Sequence, residues 1–307
     1  MSLSLLLLAC APLVGPQESQ STYQTENANQ RQEALKYQSL DELISMELPL
    51  QSQTGQQPRD PAIGGERGRE TGLAGQRGQQ VQVEDFIMKG DGSIGWAAVS
   101  TQGLAGAQDR TVLVPADRIQ HRIVENELKC ELAMSPQQLQ SMAEFDLRTA
   151  KRDGAQLITM IRAADASFDS EARAMEASAR QPELHLASEM LGLEVRGSDG
   201  EFGKVDDAIV NIENHKAEYL IVAHGQMLGM GGDRYIIPHG AVSMRTVEDE
   251  PVLVVENKTV EELEQCVEYE KPEEGFIDPK VLKKVDQEMS GSRSGAKRNK
   301  GEGSRDR

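Results

Sequence analysis

Two acidic pairs, Glu84-Asp85 and Asp206-Asp207, are the residues of this chain that come nearest to an acid–base set. Neighbouring carboxylates can be pushed apart in pKa, so that one donates a proton while the other accepts one. His224 and His239 lie at the ends of two successive β-like runs, and with Asp233 they would supply a two-histidine, one-carboxylate metal site. Against that reading, the corresponding places earlier in the chain hold Thr101 and Ala116. Gly229-Met-Gly-Gly-Asp233 is glycine-rich, but no Lys-Ser/Thr or helix start follows it, so it is read as a tight turn needing positive φ rather than a phosphate loop. There is no Gly-x-Ser-x-Gly elbow and no zinc-like Cys/His spacing. Cys130 and Cys266 read as buried thiols rather than as a bridge. The expectation is therefore no catalytic residues, no cofactor and no metal.

The elements that would have to position these residues are set by composition and pattern. The chain has 307 residues, about two domains' worth. Its 33 basic and 50 acidic side chains give 33 − 50 = −17, which argues against nucleic-acid or anionic-membrane binding through bulk charge of the folded part. Aromatics make up 4%, too few for a base-stacking surface. The one strongly apolar run, Leu3 to Leu13, is too short to span a bilayer as a helix of about 20 residues. Within it, Leu7-Leu8-Ala9-Cys10 resembles a bacterial lipobox, with Cys10 as the acylated residue, although no Lys or Arg precedes the run. This predicts an exported, lipid-anchored envelope protein with a polar tether over 17–37. A cytoplasmic chain with a frayed apolar N-terminus is the alternative.

An internal repeat organises the rest. Trp96 to Pro115 lies over Tyr219 to Pro238 without a gap: Val99 meets Val222, Gly106 meets Gly229, and Val114-Pro115 meets Ile237-Pro238. Upstream, Val83-Glu-Asp-Phe-Ile87 meets Val205-Asp-Asp-Ala-Ile209, and Glu42 to Leu48 meets Glu189 to Val195. Downstream, Ser135-Pro-Gln-Gln138 and Thr259-Val-Glu-Glu262 are both capping boxes that open a helix. Between these marks the runs are short and β-branched, bounded by turns such as Asp199-Gly200, which predicts five or six antiparallel strands per copy. A sheet so small removes its edges by curling into a barrel.

Leu191-Gly192, Asp199-Gly200-Glu-Phe-Gly203-Lys-Val205-Asp-Asp207, Tyr219-Leu-Ile-Val222, Leu228-Gly-Met-Gly-Gly232, Tyr235-Ile-Ile-Pro238 and Thr259-Val-Glu-Glu-Leu263 together resemble a PRC-barrel domain, the β-barrel module of the photosynthetic reaction-centre H subunit and of ribosome-maturation factors. The resemblance runs over about 185–268. It implies a structural, strand-end role for Asp206-Asp207 and Glu84-Asp85, and turn or anchor roles for Gly106, Pro115, Asp199, Gly200, Gly203, Gly229, Gly232 and Pro238. It also implies a protein partner, since family members dock to larger assemblies.

The expected layout is mainly β with some α: a signal-like segment over 1–16, the tether, a first PRC-like barrel over 38–143 with a Gln/Gly-rich insertion at about 51–80, a helical linker over 144–184, a second barrel over 185–270, and an acidic then basic disordered tail over 271–307. The linker's apolar stripe, Leu157, Ile161, Ala164, Phe168, Ala172, Met175 and Ala179, predicts a helix over 155–180. The functional expectation is a non-catalytic envelope adaptor. The other readings are a cytosolic ribonucleoprotein assembly factor using the basic residues of 290–307, and a small-molecule or metal-binding envelope enzyme.

Overall fold

The structure is a computed structural model, and it describes residues 30–50, 79–104, 108–124, 127–153, 156–164, 184–225, 232–248, 250–272 and 277–291. Continuous apolar stretches such as Ile94–Ser100 and Lys216–His224 form central strands buried on both faces. The first unit contains β1 (Tyr37–Ser39), α1 (Leu40–Leu43), β2 (Glu47–Pro49), β3 (Gln80–Lys89), β4 (Ile94–Ser100), β5 (Thr111–Pro115), β6 (Ile119–Val124), β7 (Glu127–Leu132), α2 (Pro136–Ser141), α3 (Leu147–Arg152) and α4 (Leu157–Ala164). The second contains β8 (Leu184–Leu186), α5 (Ala187–Met190), β9 (Glu194–Arg196), β10 (Glu201–Asn211), β11 (Lys216–His224), β12 (Asp233–Pro238), β13 (Val242–Val247), β14 (Glu250–Val255), α6 (Val260–Leu263) and α7 (Pro279–Gly291).

The two units have the same strand order. The second is ordered β12-β11-β10-β9-β14-β13. The first is ordered β5-β4-β3-β2, and the parallel bridge Leu50–Leu132 carries it on to the β7-β6 hairpin. Register repeats too: Trp96 faces Pro115 as Tyr219 faces Pro238, and β3 and β10 each bulge between the valine and the second acid of the acidic pair. The expected capping boxes at Ser135 and Thr259 both form.

Three expectations need correction. The hydrogen-bonded ladders do not close into barrels. In the second unit the path ends at β12 and β13, because β12 stops at Pro238, which has no N–H to donate, and a 3-10 turn over His239–Ala241 carries the chain off. The pairing is also not wholly antiparallel, since β9 runs parallel to β14. Finally, part of the segment expected as a disordered tail contributes to the core, beside the linker's apolar stripe, which packs on the sheet as an amphipathic helix does. Leu157 and Ile161 of α4 are buried against Ile87, Trp96 and Leu113, and Leu282 and Val285 of α7 are buried against Ile209, Tyr219 and Ile236. The bridges Val112–Glu144 and Tyr235–Glu268 lead into these two covers at matching points. Of the expected 155–180 helix, α4 is the part that lies among the described residues.

The units are joined by an exchange of strands. β1, at the start of the first unit, pairs with β10 of the second, setting Ser39 against Ile209. β8, at the start of the second, pairs with β3 of the first, setting Leu186 against Ile87. Each long strand thus carries its own unit's β2 or β9 along its first half and the other unit's strand along its second half. The hairpin tips meet as well. The Ile94 amide donates to the His215 carbonyl at 2.7 Å, and the Ala217 amide donates to the Gly92 carbonyl at 2.9 Å. These reciprocal contacts relate the units by an approximate twofold axis, and one apolar cluster, from Leu40 to Leu263, runs through both.

Candidate functional site

The acidic pairs sit at the exchange points. A bulge adds one residue to a strand and re-aims its neighbour's side chain. The bulges in β3 and β10 turn Asp85 and Asp207 toward the incoming strand of the other unit. Asp85 is fully buried and accepts from its own neighbour Phe86 N–H at 2.9 Å, from Ser188 N–H at 3.0 Å and from the Ser188 hydroxyl. Asp207 accepts from Ala208 N–H at 2.7 Å, from Asp41 N–H at 3.1 Å and from the Ser39 hydroxyl. Ser188 and Asp41 are the second residues of α5 and α1, so each carboxylate satisfies a first-turn amide of a helix belonging to the opposite unit.

The two sites differ in charge balance. Lys151 Nζ of α3 stands 3.3 Å from Asp85. Among the described residues no cation comes within 4.0 Å of Asp207. Burial therefore pushes the Asp207 carboxyl above the usual aspartate range, against the pull of its hydrogen bonds to Ser39 and the Ala208 and Asp41 amides. The first members of the pairs face elsewhere: Glu84 accepts from the Thr111 hydroxyl at 2.6 Å, and Asp206 from Arg234 Nε at 2.6 Å. The two members of each pair thus face separate partners.

The histidines keep separate company. His224 stacks on Phe202 with ring centroids 4.7 Å apart, and its Nε2 lies 3.1 Å from Glu264. Asp233 stands opposite it in the β11–β12 ladder. His239 is buried beside Gly92 of the other unit, and burial lowers its pKa. Among the described residues no group of three or more His, Cys, Asp or Glu could hold a metal ion. Cys130 and Cys266 are free thiols, that of Cys130 raised by burial to about 11.

The turn and anchor residues have concrete roles. A Cβ on Gly203 would fall 2.1 Å from the Ala223 carbonyl oxygen, so only glycine lets β10 and β11 close there. Asp199 accepts the Val260 amide at 2.8 Å and, with Thr259, caps α6, while Gly200 completes the turn. Gly232 has φ +94°. Pro115 and Pro238 each lead from a strand into a 3-10 turn. Cys10, Gly106 and Gly229 lie outside the described residues. The sequence reading missed Ser39, Ser188 and Lys151. The available signal was the repeat itself, which lays Asp85 over Asp207.

Residues 182–260 match the PRC-barrel domain family. That family's model does not extend to the first unit. No curated protein matches the chain.

Proposed function

We propose that this chain is a non-catalytic PRC-type adaptor of the cell envelope, which uses its two units to hold a protein partner. The observation that carries the proposal is the PRC-barrel match over 182–260, a module suited to protein interaction. The matching strand order and bulge positions of the first unit support reading it as a second copy of the module. The use of Asp85 and Asp207 as cross-unit caps supports a structural rather than a catalytic role for the acidic pairs. The lipobox-like Leu7-Leu8-Ala9-Cys10 supports export and lipid attachment at Cys10.

The test combines location with assembly. Intact mass of the chain recovered from membrane fractions should show cleavage before Cys10 and an added diacylglyceryl group. In gently solubilised membranes the chain should migrate in a complex of defined composition, larger than the purified chain alone. An unprocessed cytosolic chain that binds RNA, with salt-sensitive affinity lost on removing residues 290–307, would overturn the proposal in favour of a ribonucleoprotein factor. Turnover or stoichiometric metal in the purified chain would overturn the non-catalytic reading.

A further inference from the structure

A cavity of about 720 Å³ opens where the two units meet, within the size range of sites for small organic ligands. It is walled by the end of β3 from the first unit and by α5, β13 and β14 from the second. Its apolar lining includes Met88, Met190, Leu193, Val242, Met244 and Leu253, of which Met88, Met190 and Leu253 are buried. Its cations are Lys89, Lys151 and Arg152, and of these Lys151 and Arg152 are exposed. Glu189 contributes one carboxylate to the same lining.

The charge is distributed with a direction. Met88, Met190 and Leu253 are buried while Lys151 and Arg152 face solvent, so the cavity offers an apolar floor beside a basic opening. That opening stands out on a chain of net charge −17, whose bulk field would otherwise repel anions. Lys151 is committed to Asp85 at 3.3 Å. Arg152 is different. Its Nε contacts the Arg148 carbonyl at 3.4 Å, and it makes no ion pair within 4.0 Å among the described residues. Its guanidinium is therefore available to receive a carboxylate or phosphate in a forked geometry.

We propose that this inter-unit cavity binds a single-chain anionic amphiphile, with the chain seated on the methionine- and leucine-lined floor and the carboxylate or phosphate head held at Arg152. Methionines suit such a floor because their flexible thioethers adapt to a variable chain. The site is independent of the adaptor reading, since it rests on the cavity and its charge alone.

The experiment is titration calorimetry on the full chain with dodecanoate and with dodecyl phosphate, each below its critical micelle concentration. At least one should bind once per chain, and the stronger of the two identifies the preferred head. Arg152→Glu should weaken that binding by about tenfold or more, as expected for losing a charge-assisted contact. Arg118→Glu, an equal charge change at an exposed site outside the cavity lining, should leave it unchanged. Met244→Trp, which fills the cavity, should abolish it. Dodecyltrimethylammonium should bind much more weakly than either anion. Failure of both anions to bind, equal loss in the Arg152 and Arg118 variants, or equal affinity for the cationic amphiphile would overturn the proposal. The Arg152 comparison stands even if the tryptophan variant does not fold.

Discussion

Ser93 and Lys216 pair with each other in an antiparallel bridge although they occupy the same position of the two units. Only a residue lying on a twofold relation can meet its own counterpart in this way, so the bridge marks the axis about which the strands are exchanged. The chain is in effect a symmetric dimer written into one polypeptide.

The first expectation concerns the carboxylates. Asp85→Ala should destabilise the chain by about 1–3 kcal/mol, because it leaves the Phe86 and Ser188 donors without their acceptor, while the exposed Lys151 returns to solvent. Asp207 carries a pH signature instead. Its folded pKa is raised, so the folded state holds the proton more tightly than the unfolded chain does. The associated stability is fully present below the ordinary aspartate pKa and is lost as pH rises through the higher folded value. The stability of the native chain relative to Asp207→Asn should therefore fall as pH increases across that window and level off above it. Urea denaturation midpoints taken from acid to neutral pH would show the slope; a flat difference would exclude it.

Ser45 offers a gain. It holds φ +81° where the second unit has Gly192 at φ +87°, and both amides bond at 2.8 Å to a matching strand carbonyl, of Val83 and Val205. A left-handed conformation costs a non-glycine residue roughly 1–2 kcal/mol. Ser45→Gly should raise stability by about 1 kcal/mol after the extra unfolded-state entropy of glycine is deducted. Thermal melting of the two chains side by side would register it.

Gly203 tolerates nothing larger. With a Cβ forced to 2.1 Å from a backbone oxygen, Gly203→Ala must part β10 from β11 at the His224 end. A loss of about 2–4 kcal/mol is expected, within the range of severe backbone and overpacking effects. Amide exchange should quicken first in Ala223 and His224, whereas Gly200→Ala, whose Cβ would meet only the flexible Val260 side chain at 3.9 Å, should behave like the parent.

Residues 184–291 expressed alone lack β1, so the second half of β10 has no neighbour, while their own β8 has lost β3. Two such fragments can satisfy each other by laying β8 of each onto β10 of the other. Sedimentation should find a concentration-dependent dimer, and Asp207→Ala should weaken it. A stable monomer at all concentrations would show that the exchange is not what completes the unit.

Much of this architecture was legible in residue order. Pro115 over Pro238 and Ser135 over Thr259 located both copies, because turns and caps are local and use few residue types. The exchange was not legible. β1 and β8 are three residues each, too short for a periodicity, and the bonds that fix them join residues 168 apart for Ser39 and Asp207 and 103 apart for Ser188 and Asp85. The acidic pairs were visible as a motif, yet their role depends on those distant partners. α7 was hidden by its lysines and acids, although Asp278-Pro279 is a helix-start signature, and Asp278 does accept the Lys280 amide at 2.9 Å.

The exchange also imposes an order on biosynthesis. The outer edge of β3 ends at Lys89, but the strand that covers it finishes only at Leu186, 186 − 89 = 97 residues later. At translation speeds of about 5–20 residues per second, the nascent first unit waits on the order of 5–20 s with an open edge at the ribosome. A chaperone has that interval in which to shield it.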